Sequence, residues 1–298
     1  MASHKIETCN CNAKLNNGEI MKKIISFLFL FSIPLTSFSK SEKIKSPDST
    51  KTSSDVKVTT STLSNSDSYE LLKTVDDRQR NYGDFKANGF VKEVEKNKEP
   101  RLLNSTIYRR SLDSKFMILF NKPKEEAGKA YLKIDKNLWN FDPGTGKWER
   151  RTEREKIGGT NSRRSDFDEP KLSEEYDVIS EGPTTLGKFK AQILKLTVKK
   201  DIEVSYPVIK LWIDDATKNI LKREEYALSG KLMRTSFYPK WNKVFSESKK
   251  AEIYVPEEIR IFDELEKGNS TIVVLKEVDL KKLEDNIFTK AWVESKSK

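Results

Sequence analysis

The sequence predicts a mainly β protein whose strands form one antiparallel sheet that curls or packs on itself. Aromatic and β-branched residues alternate with charged residues over most of the chain beyond residue 85, which is the period of a half-buried strand. Short turn sequences separate these runs, for example Asp135-Lys136-Asn137 and Ser229-Gly230. One longer stretch near residue 70 instead has the period of a helix.

The main helix is predicted at the start of the folded region. Asp67 and Glu70 have the spacing of a capping box, in which two side chains satisfy free backbone N–H groups of the first turn. Tyr69, Leu72 and Val75 then recur at helical intervals. These signals predict a helix from Asp67 to about Arg80, and a short helix is also predicted over Asp279–Glu284.

The strands are predicted wherever the alternation is bounded by turn residues. Neighbouring strands are joined by short turns, which is typical of hairpins and therefore of antiparallel pairing. The predicted strands are Lys86–Val94, Ser105–Ser111, Lys115–Phe120, Lys129–Ile134, Leu138–Phe141, Phe189–Lys199, Val208–Asp214, Ile220–Leu228, Lys231–Tyr238, Glu258–Phe262 and Ser270–Glu277.

One charged stretch, residues 150–175, interrupts this rhythm. It contains Gly158-Gly159 and has neither a helical nor a strand period. Long inserts without regular structure are uncommon in a sheet with short loops and are often functional, as lids or binding loops. The alternative is a mobile excursion on the surface.

The N-terminal region indicates export. Met21-Lys22-Lys23 is a positive n-region, residues 24–35 are mostly apolar, and Ser37-Phe38-Ser39 offers small residues for cleavage. The apolar run of about 12 residues is shorter than the roughly 20 residues that cross a bilayer. We therefore predict a signal peptide over residues 21–39, cleaved near Ser39, after an upstream segment of residues 1–20 that is not part of the fold.

The rest of the chain divides into two parts. Residues 40–66 are rich in Ser, Thr and Lys, have almost no large apolar side chain, and are predicted to form a disordered linker. Residues 67–298 are predicted to be a single domain. Both cysteines and the one histidine lie upstream of the predicted cleavage, so the mature chain holds itself together by its core and not by disulfides.

The composition excludes several kinds of chemistry. Without His or Cys, the mature chain cannot carry Ser-His-Asp or Cys-His catalysis. No phosphate-binding or dinucleotide-binding glycine motif is present, and we expect neither a cofactor nor a metal. The net charge of +10 fits a solvated surface, an acidic partner or an anionic membrane surface, and export makes nucleic acid an unexpected partner.

The aromatic residues are spread over the strand region. An alternating strand places them on one face, and a curled sheet then makes a concave apolar surface. An ordinary filled core is the other interpretation. We expect this surface to include Phe90, Phe116, Ile118, Phe120, Leu132, Trp139, Trp212 and Tyr226.

Several segments, in order, resemble the outer-membrane lipoprotein-sorting proteins, the LolA-like carrier family. The resemblance extends from about Asp67 to Val293. The matching segments are Phe120-Asn-Lys-Pro123, Leu138-Trp-Asn-Phe-Asp-Pro143, Ser165-Asp166-Phe167, Tyr206-Pro207, Trp212-Ile-Asp214 and Glu225-Tyr226.

The resemblance implies a fold and a function. The fold would be a curved antiparallel sheet forming an incomplete β-barrel, with short α-helices over its open side. Its concavity would bind acyl chains of a lipid or lipoprotein under a lid that includes Ser165, Asp166 and Phe167. The protein would be a non-enzymatic periplasmic carrier, expected to be a monomer. Its donor would be an inner-membrane transporter and its acceptor an outer-membrane protein.

Two other functions stay open at this point. The first is a cell-envelope interaction protein with a packed core, whose basic surface docks on anionic lipid or polymer. The second is a hydrolase built on carboxylates, with Asp166 and Asp168 as the candidate groups.

Overall fold

The computed structural model describes residues 62–81, 83–134, 137–152 and 155–297. The predicted upstream segment, the signal peptide and the linker up to residue 61 lie outside the described residues. Within the described part, no helix is both long enough and apolar enough to cross a membrane.

Thirteen antiparallel strands form one sheet in the described residues. Three helices accompany them: α1 (Asn65–Gln79), α2 (Leu172–Glu175) and α3 (Lys290–Lys296). Short 3₁₀ turns occupy Ile157–Gly159, Arg164–Phe167 and Asp285–Phe288. The strands are β1 (Asp84–Val94), β2 (Arg101–Arg110), β3 (Lys115–Lys122), β4 (Ala130–Ile134), β5 (Asn137–Asp142), β6 (Lys147–Arg151), β7 (Tyr176–Leu186), β8 (Phe189–Val198), β9 (Val208–Asp214), β10 (Ile220–Tyr226), β11 (Leu232–Ser246), β12 (Ala251–Asp263) and β13 (Ser270–Asp279).

The strand order is β6-β5-β4-β3-β2-β1-β13-β12-β11-β10-β9-β8-β7. Two meanders, β1 to β6 and β7 to β13, are therefore joined where β1 pairs with β13. The two edges of the sheet, β6 and β7, do not pair, so the sheet is not closed into a barrel. The predicted fold class, an open antiparallel sheet with short helices, is confirmed.

The two faces of the sheet have different covers. We call the face that carries Phe116 and Ile118 the inner face, because α1 and the connection between β6 and β7 lie on it. α1 runs across this face: Thr62, just before it, lies beside Gly182 of β7, and Asp77 near its end pairs with Lys249 after β11 at 2.9 Å. The C-terminal residues, including Phe288 and Val293, pack on the opposite, outer face.

The first helix begins two residues earlier than predicted. The N-cap is Ser64, whose hydroxyl accepts a hydrogen bond from the Asp67 backbone N–H at 3.1 Å and donates to the Asp67 carboxylate at 2.7 Å. The capping pair is thus Ser64 with Asp67, one turn before the predicted pair of Asp67 and Glu70. Both pairs have the same spacing of three residues, so the spacing alone does not select between them.

Several strand predictions were incomplete because prolines and charged residues interrupt the apolar alternation from which strands are predicted. β11 continues past Pro239 and β12 begins before Pro256, since irregular pairing between these strands accommodates residues that lack an N–H group. β6 and β7 were not predicted, because β6 is mostly charged and β7 contains Pro183, which an edge strand tolerates. The predicted helix over Asp279–Glu284 is wrong: β13 ends at Asp279, and helical structure begins only with the 3₁₀ turn Asp285–Phe288.

Candidate functional site

The candidate site is the apolar part of the inner face on β1, β2, β3 and β13. Phe116, Ile118 and Phe120 alternate along β3, so all three side chains point to this face. Each is at most 4% exposed. Leu103 and Ile107 of β2 continue the same surface, because they lie in the register that faces β3 from the neighbouring strand.

A lid covers this surface. We define the lid segment as residues 155–171, which lie in the connection from β6 to α2. Ile157 of the lid segment is 3% exposed and belongs to the inner-face cluster. The ring of Phe167 lies against that of Phe116, with 5.4 Å between the centroids. The lid segment therefore contributes apolar side chains to the same cluster as the sheet.

Gly158 brings the lid backbone into contact with the sheet. Its φ of +61° lies in the left-handed region, and a Cβ added there would lie 2.8 Å from Cζ of Phe120. Its N–H donates to the hydroxyl of Tyr131 at 3.2 Å, and its carbonyl accepts from Arg101 at 2.5 Å. A side chain at this position would push the lid away from the sheet.

The space left beneath the lid segment is small. It is a cavity of about 20 Å³, about the room that one water molecule needs. The Ser162 hydroxyl lines it and has no hydrogen-bond partner within the described residues. An acyl chain therefore fits on this face only when the lid segment has moved.

A buried charged cluster holds the lid segment to β10 and β11. Arg234 of β11 donates two hydrogen bonds to the Asp166 carboxylate of the lid, at 2.7 and 2.6 Å. Arg234 also bonds to Glu225 of β10, and Glu225 is paired with Arg223 at 2.8 Å. Arg234 is 5% exposed and Glu225 is not exposed at all.

The electrostatics show which charge forms this cluster favours. Burial alone would raise the pKa of Asp166, but the charge and hydrogen bonds of Arg234 outweigh it and lower that pKa below the ordinary value. Burial would lower the pKa of Arg234, but Asp166 and Glu225 raise it well above its ordinary range. Burial also raises the pKa of Tyr238, which lies beside Arg223, to about 12. The contact between Asp166 and Arg234, which we call the latch, is therefore an ion pair at neutral pH.

Further polar contacts follow the lid segment across the sheet. The Asn161 N–H donates to the hydroxyl of Thr271 on β13 at 2.9 Å, and Arg109 of β2 donates to the Phe167 carbonyl at 3.0 Å. Beside Gly158, a polar cleft of about 260 Å³ opens at the edge of the lid. This cleft is lined by Arg101, Phe120, Glu126, Lys129, Tyr131, Asn140, Asp142, Gly158 and Gly159.

The structure brings together only part of the residues predicted for the concavity. Phe116, Ile118 and Phe120 lie on the inner face beneath the lid segment. Among the predicted lid residues, Asp166 and Phe167 contact the sheet, and Ser165 is exposed. The binding of a lipid by any of these residues stays a prediction.

The other five predicted residues lie on the outer face, so their placement in the concavity was wrong. Strand register decides the face: Phe90 pairs with Asn104 and Val274, one position away from the inward residues Val91 and Leu103. The same displacement by one residue applies on the other strands. Besides Phe90, the residues placed outside are Leu132, Trp139, Trp212 and Tyr226.

The charged cluster was missed by sequence reasoning. Arg223, Glu225 and Arg234 sit at alternate, inward positions of β10 and β11, but charged residues at alternate positions normally indicate the solvated face. The sequence of β10 holds no signal for the cluster, because Lys222 and Glu224, which alternate with Arg223 and Glu225, are charged as well.

The candidate carboxylates of a hydrolase are used as charge partners. Both oxygens of Asp166 bind Arg234, and Asp168 pairs with Arg164 at 2.9 Å. Among the described residues, no three potential metal ligands come together. The arrangement at Asp166 fits a latch better than a general acid or base, because its pKa is lowered and its lone pairs are engaged.

Comparison with known proteins agrees with this architecture. Residues 112–295 match the model of a family described as "-like: Uncharacterized protein", and the chain belongs to that family. No curated protein matches the chain.

Solved structures share the fold at low sequence identity. A LolA superfamily protein from Nitrosomonas europaea is 21% identical, with a TM-score of 0.62, over 76% of this chain and 98% of its own. A domain assigned to the outer membrane lipoprotein-sorting proteins of Vibrio parahaemolyticus is 17% identical, with a TM-score of 0.66, over 78% of this chain and 100% of its own. A DUF1329 family protein from Desulfovibrio piger is 18% identical, with a TM-score of 0.67, over 76% and 98%. The chain therefore shares its fold with these three structures.

Proposed function

We propose that this protein is an exported carrier that binds the acyl chains of a lipid or lipoprotein on its inner face. The observation that supports this most directly is the lid segment, which covers an apolar sheet surface but is latched to it by an ion pair. In the form described here the lid's own Ile157 and Phe167 occupy the place of the cargo. In this proposal the closed lid segment and the cargo exclude each other from the inner face.

The energetics are consistent with exchange between lid and cargo. Each methylene that leaves water contributes about 0.8 kcal/mol, so a chain of about ten methylenes gains roughly 8 kcal/mol before ordering costs. Opening the lid segment exposes mainly one isoleucine and one half-buried phenylalanine. The gain from an acyl chain thus works against this exposure and the loss of the Asp166–Arg234 pair.

The proposed route runs through the periplasm. The predicted signal peptide supports export, and the likeness in fold to a domain assigned to lipoprotein sorting supports a cargo with acyl chains. We infer an inner-membrane transporter as donor and an outer-membrane protein as acceptor. No step of this route breaks or forms a covalent bond, so the function we propose is that of a carrier and not of an enzyme.

Uptake of an acyl probe tests the proposal. Delipidated protein is titrated with a pyrene-labelled fatty acid, and Ile118→Thr is compared with its neighbour Leu119→Thr. Both residues are buried on β3, but they point to opposite faces. We expect Ile118→Thr to weaken uptake by about three- to tenfold, because it puts a hydroxyl under the chain. Leu119→Thr should bind like the wild type, and an absence of uptake by all three proteins would contradict the proposal.

A second candidate function is a cell-envelope interaction protein. The observation in its favour is that the inner face is filled, with a cavity of only about 20 Å³, while the chain carries a net charge of +10. This function predicts binding to vesicles that contain anionic lipid, falling steeply with salt, without any uptake of free acyl probe. The two measurements together separate the candidates.

A further inference from the structure

Opening of the lid segment would change the charges that remain on the sheet. Asp166 leaves with the lid, while Arg223, Glu225 and Arg234 stay on β10 and β11. Within this cluster of three residues, two guanidinium groups then face one carboxylate, so the cluster carries one excess positive charge. Arg234 would lose both of its hydrogen bonds to Asp166 in a largely buried place, where an unpaired charge is costly.

The geometry of Arg234 suits one kind of replacement. A guanidinium that gives two parallel N–H···O bonds matches the two oxygens of a carboxylate or of a phosphate. In the closed form Asp166 supplies such a pair of oxygens at 2.7 and 2.6 Å. The next residue, Phe167, places an apolar ring on Phe116 of β3. The lid thus presents an anion followed by a hydrophobic group, which is the order found in an anionic amphiphile.

The position of Arg234 in the sheet agrees with this. It lies on β11, between the apolar cluster that contains Phe116 and the second cluster that contains Leu211. Tyr206 stacks on its guanidinium at 5.2 Å and limits access of water from that side. An anionic group on Arg234 could therefore extend its chain over apolar surface without crossing solvent.

We propose that the cargo carries an anionic head group, a carboxylate or a phosphate, that replaces Asp166 on Arg234 when the lid opens. This inference rests on the proposed function and adds a substrate class to it. Asp166 then acts as an internal competitor that keeps the empty site neutral.

Removing the competitor provides the test. Binding of a pyrene-labelled fatty acid, its methyl ester and a pyrene-labelled alkyl phosphate is measured at pH 8 for the wild type and for Asp166→Asn. Loosening of the lid alone raises the affinity for all three probes by the same factor. We expect the anionic probes to gain on the order of tenfold more than the ester, because a charged bidentate contact becomes available only to them.

Removal of Arg234, the residue proposed to bind the anionic head group, gives the complementary result. Arg234→Gln alone leaves Glu225 buried without its main partner, so the double variant Arg234→Gln/Glu225→Gln keeps the cluster neutral. It should bind the fatty acid and its ester with similar affinity. The tighter of the two anionic probes in Asp166→Asn identifies the head group as carboxylate or phosphate.

Each contrary outcome has a distinct meaning. Equal gains for ester and anionic probes in Asp166→Asn would overturn anion recognition while leaving the acyl carrier intact. Unchanged preference for the anionic probes in the double variant would also overturn it. If no probe binds to any of the proteins, both the head-group assignment and the proposed function are contradicted.

Discussion

The lid segment and the C-terminal residues 280–297, which we call the C-terminal cover, both cover an apolar surface but are attached to it in different ways. Each is a short stretch of chain over an apolar face of the same sheet. The C-terminal cover, residues 280–297, buries Ile287, Phe288 and Val293, and none of these is more than 8% exposed. In the lid segment only Ile157 is an apolar residue buried to that degree.

The remaining buried residues of the lid segment are polar. Thr160, Asn161, Ser162 and Arg164 are each at most 8% exposed. The lid segment is also attached to the sheet by the ion pair from Asp166 to Arg234. Packing of apolar side chains is lost only when a cover unfolds, whereas an ion pair can be exchanged for another ion pair. Under the proposed function, this difference makes the lid segment, and not the C-terminal cover, the part that cargo displaces.

The largest expected effect comes from matched phenylalanines in the two covers. Phe288→Ala should lower the free energy of unfolding by about 3–5 kcal/mol, since it removes a fully buried ring. Phe167→Ala should lower the free energy of unfolding by about 1–2 kcal/mol, because its ring is only half-buried and the lid segment can move to fill the space. Urea unfolding followed by tryptophan fluorescence measures both. An equal decrease in the free energy of unfolding for both variants would contradict the distinction between the two covers.

Removal of the lid charge has the next largest effect. Asp166→Asn should cost about 2 kcal/mol at pH 7, because it leaves Arg234 with one charged partner fewer. Asp285→Asn, in the outer cover, is the control: Asp285 accepts from Arg110 at 2.6 Å, but its side chain is 85% exposed, so we expect a loss below about 0.5 kcal/mol.

Acid should remove the effect of Asp166→Asn. The folded-state pKa of Asp166 is lowered, so its contribution is fully present above the pKa of the unfolded chain, near 4, and disappears as the pH falls through the lower folded value. The difference between wild type and Asp166→Asn should stay constant from pH 8 to about pH 5 and shrink below about pH 4. A difference that shrinks already at pH 6 would show that the carboxylate is not held by Arg234.

Gly158→Ala tests the close approach of the lid to the sheet and has the smallest effect. The left-handed φ and the 2.8 Å contact with Phe120 predict a loss of about 1 kcal/mol. Gly146→Ala is the control, because its φ of +67° is similar but no atom lies within 4 Å of the added Cβ. Only Gly158→Ala should also increase acyl uptake, since it alone pushes the lid away.

The sequence predicted the fold more completely than the site. Alternation and turn residues located most strands, because those strands have one solvent-exposed face and one buried face. β3 is apolar on both faces, with Phe116 to Phe120 all buried, so its own sequence could not say which residues point inward. The choice of face depends on what covers each side, and the covers come from distant parts of the chain.

The charged latch likewise joins residues that are far apart in the sequence. Asp166 and Arg234 are 68 positions apart, and only the folded sheet brings them together. The placement of Phe90, Leu132 and Trp139 failed for a related reason. Aromatic residues were expected inside, but Trp139 lies on the outer face with Lys290 3.6 Å above its ring. On β4 and β5, the outer-face residues Leu132 and Trp139 thus lie on the side where the C-terminal residues pack.

Hydrogen exchange in the presence and absence of the pyrene-labelled fatty acid tests the central claim most directly. If the cargo displaces the lid, the amides of residues 157–167, including the Asn161 N–H that is bonded to Thr271, should exchange faster when the probe is bound. The amides of the C-terminal cover should be unchanged. Binding of the probe with unchanged or greater protection of the lid segment would contradict the account.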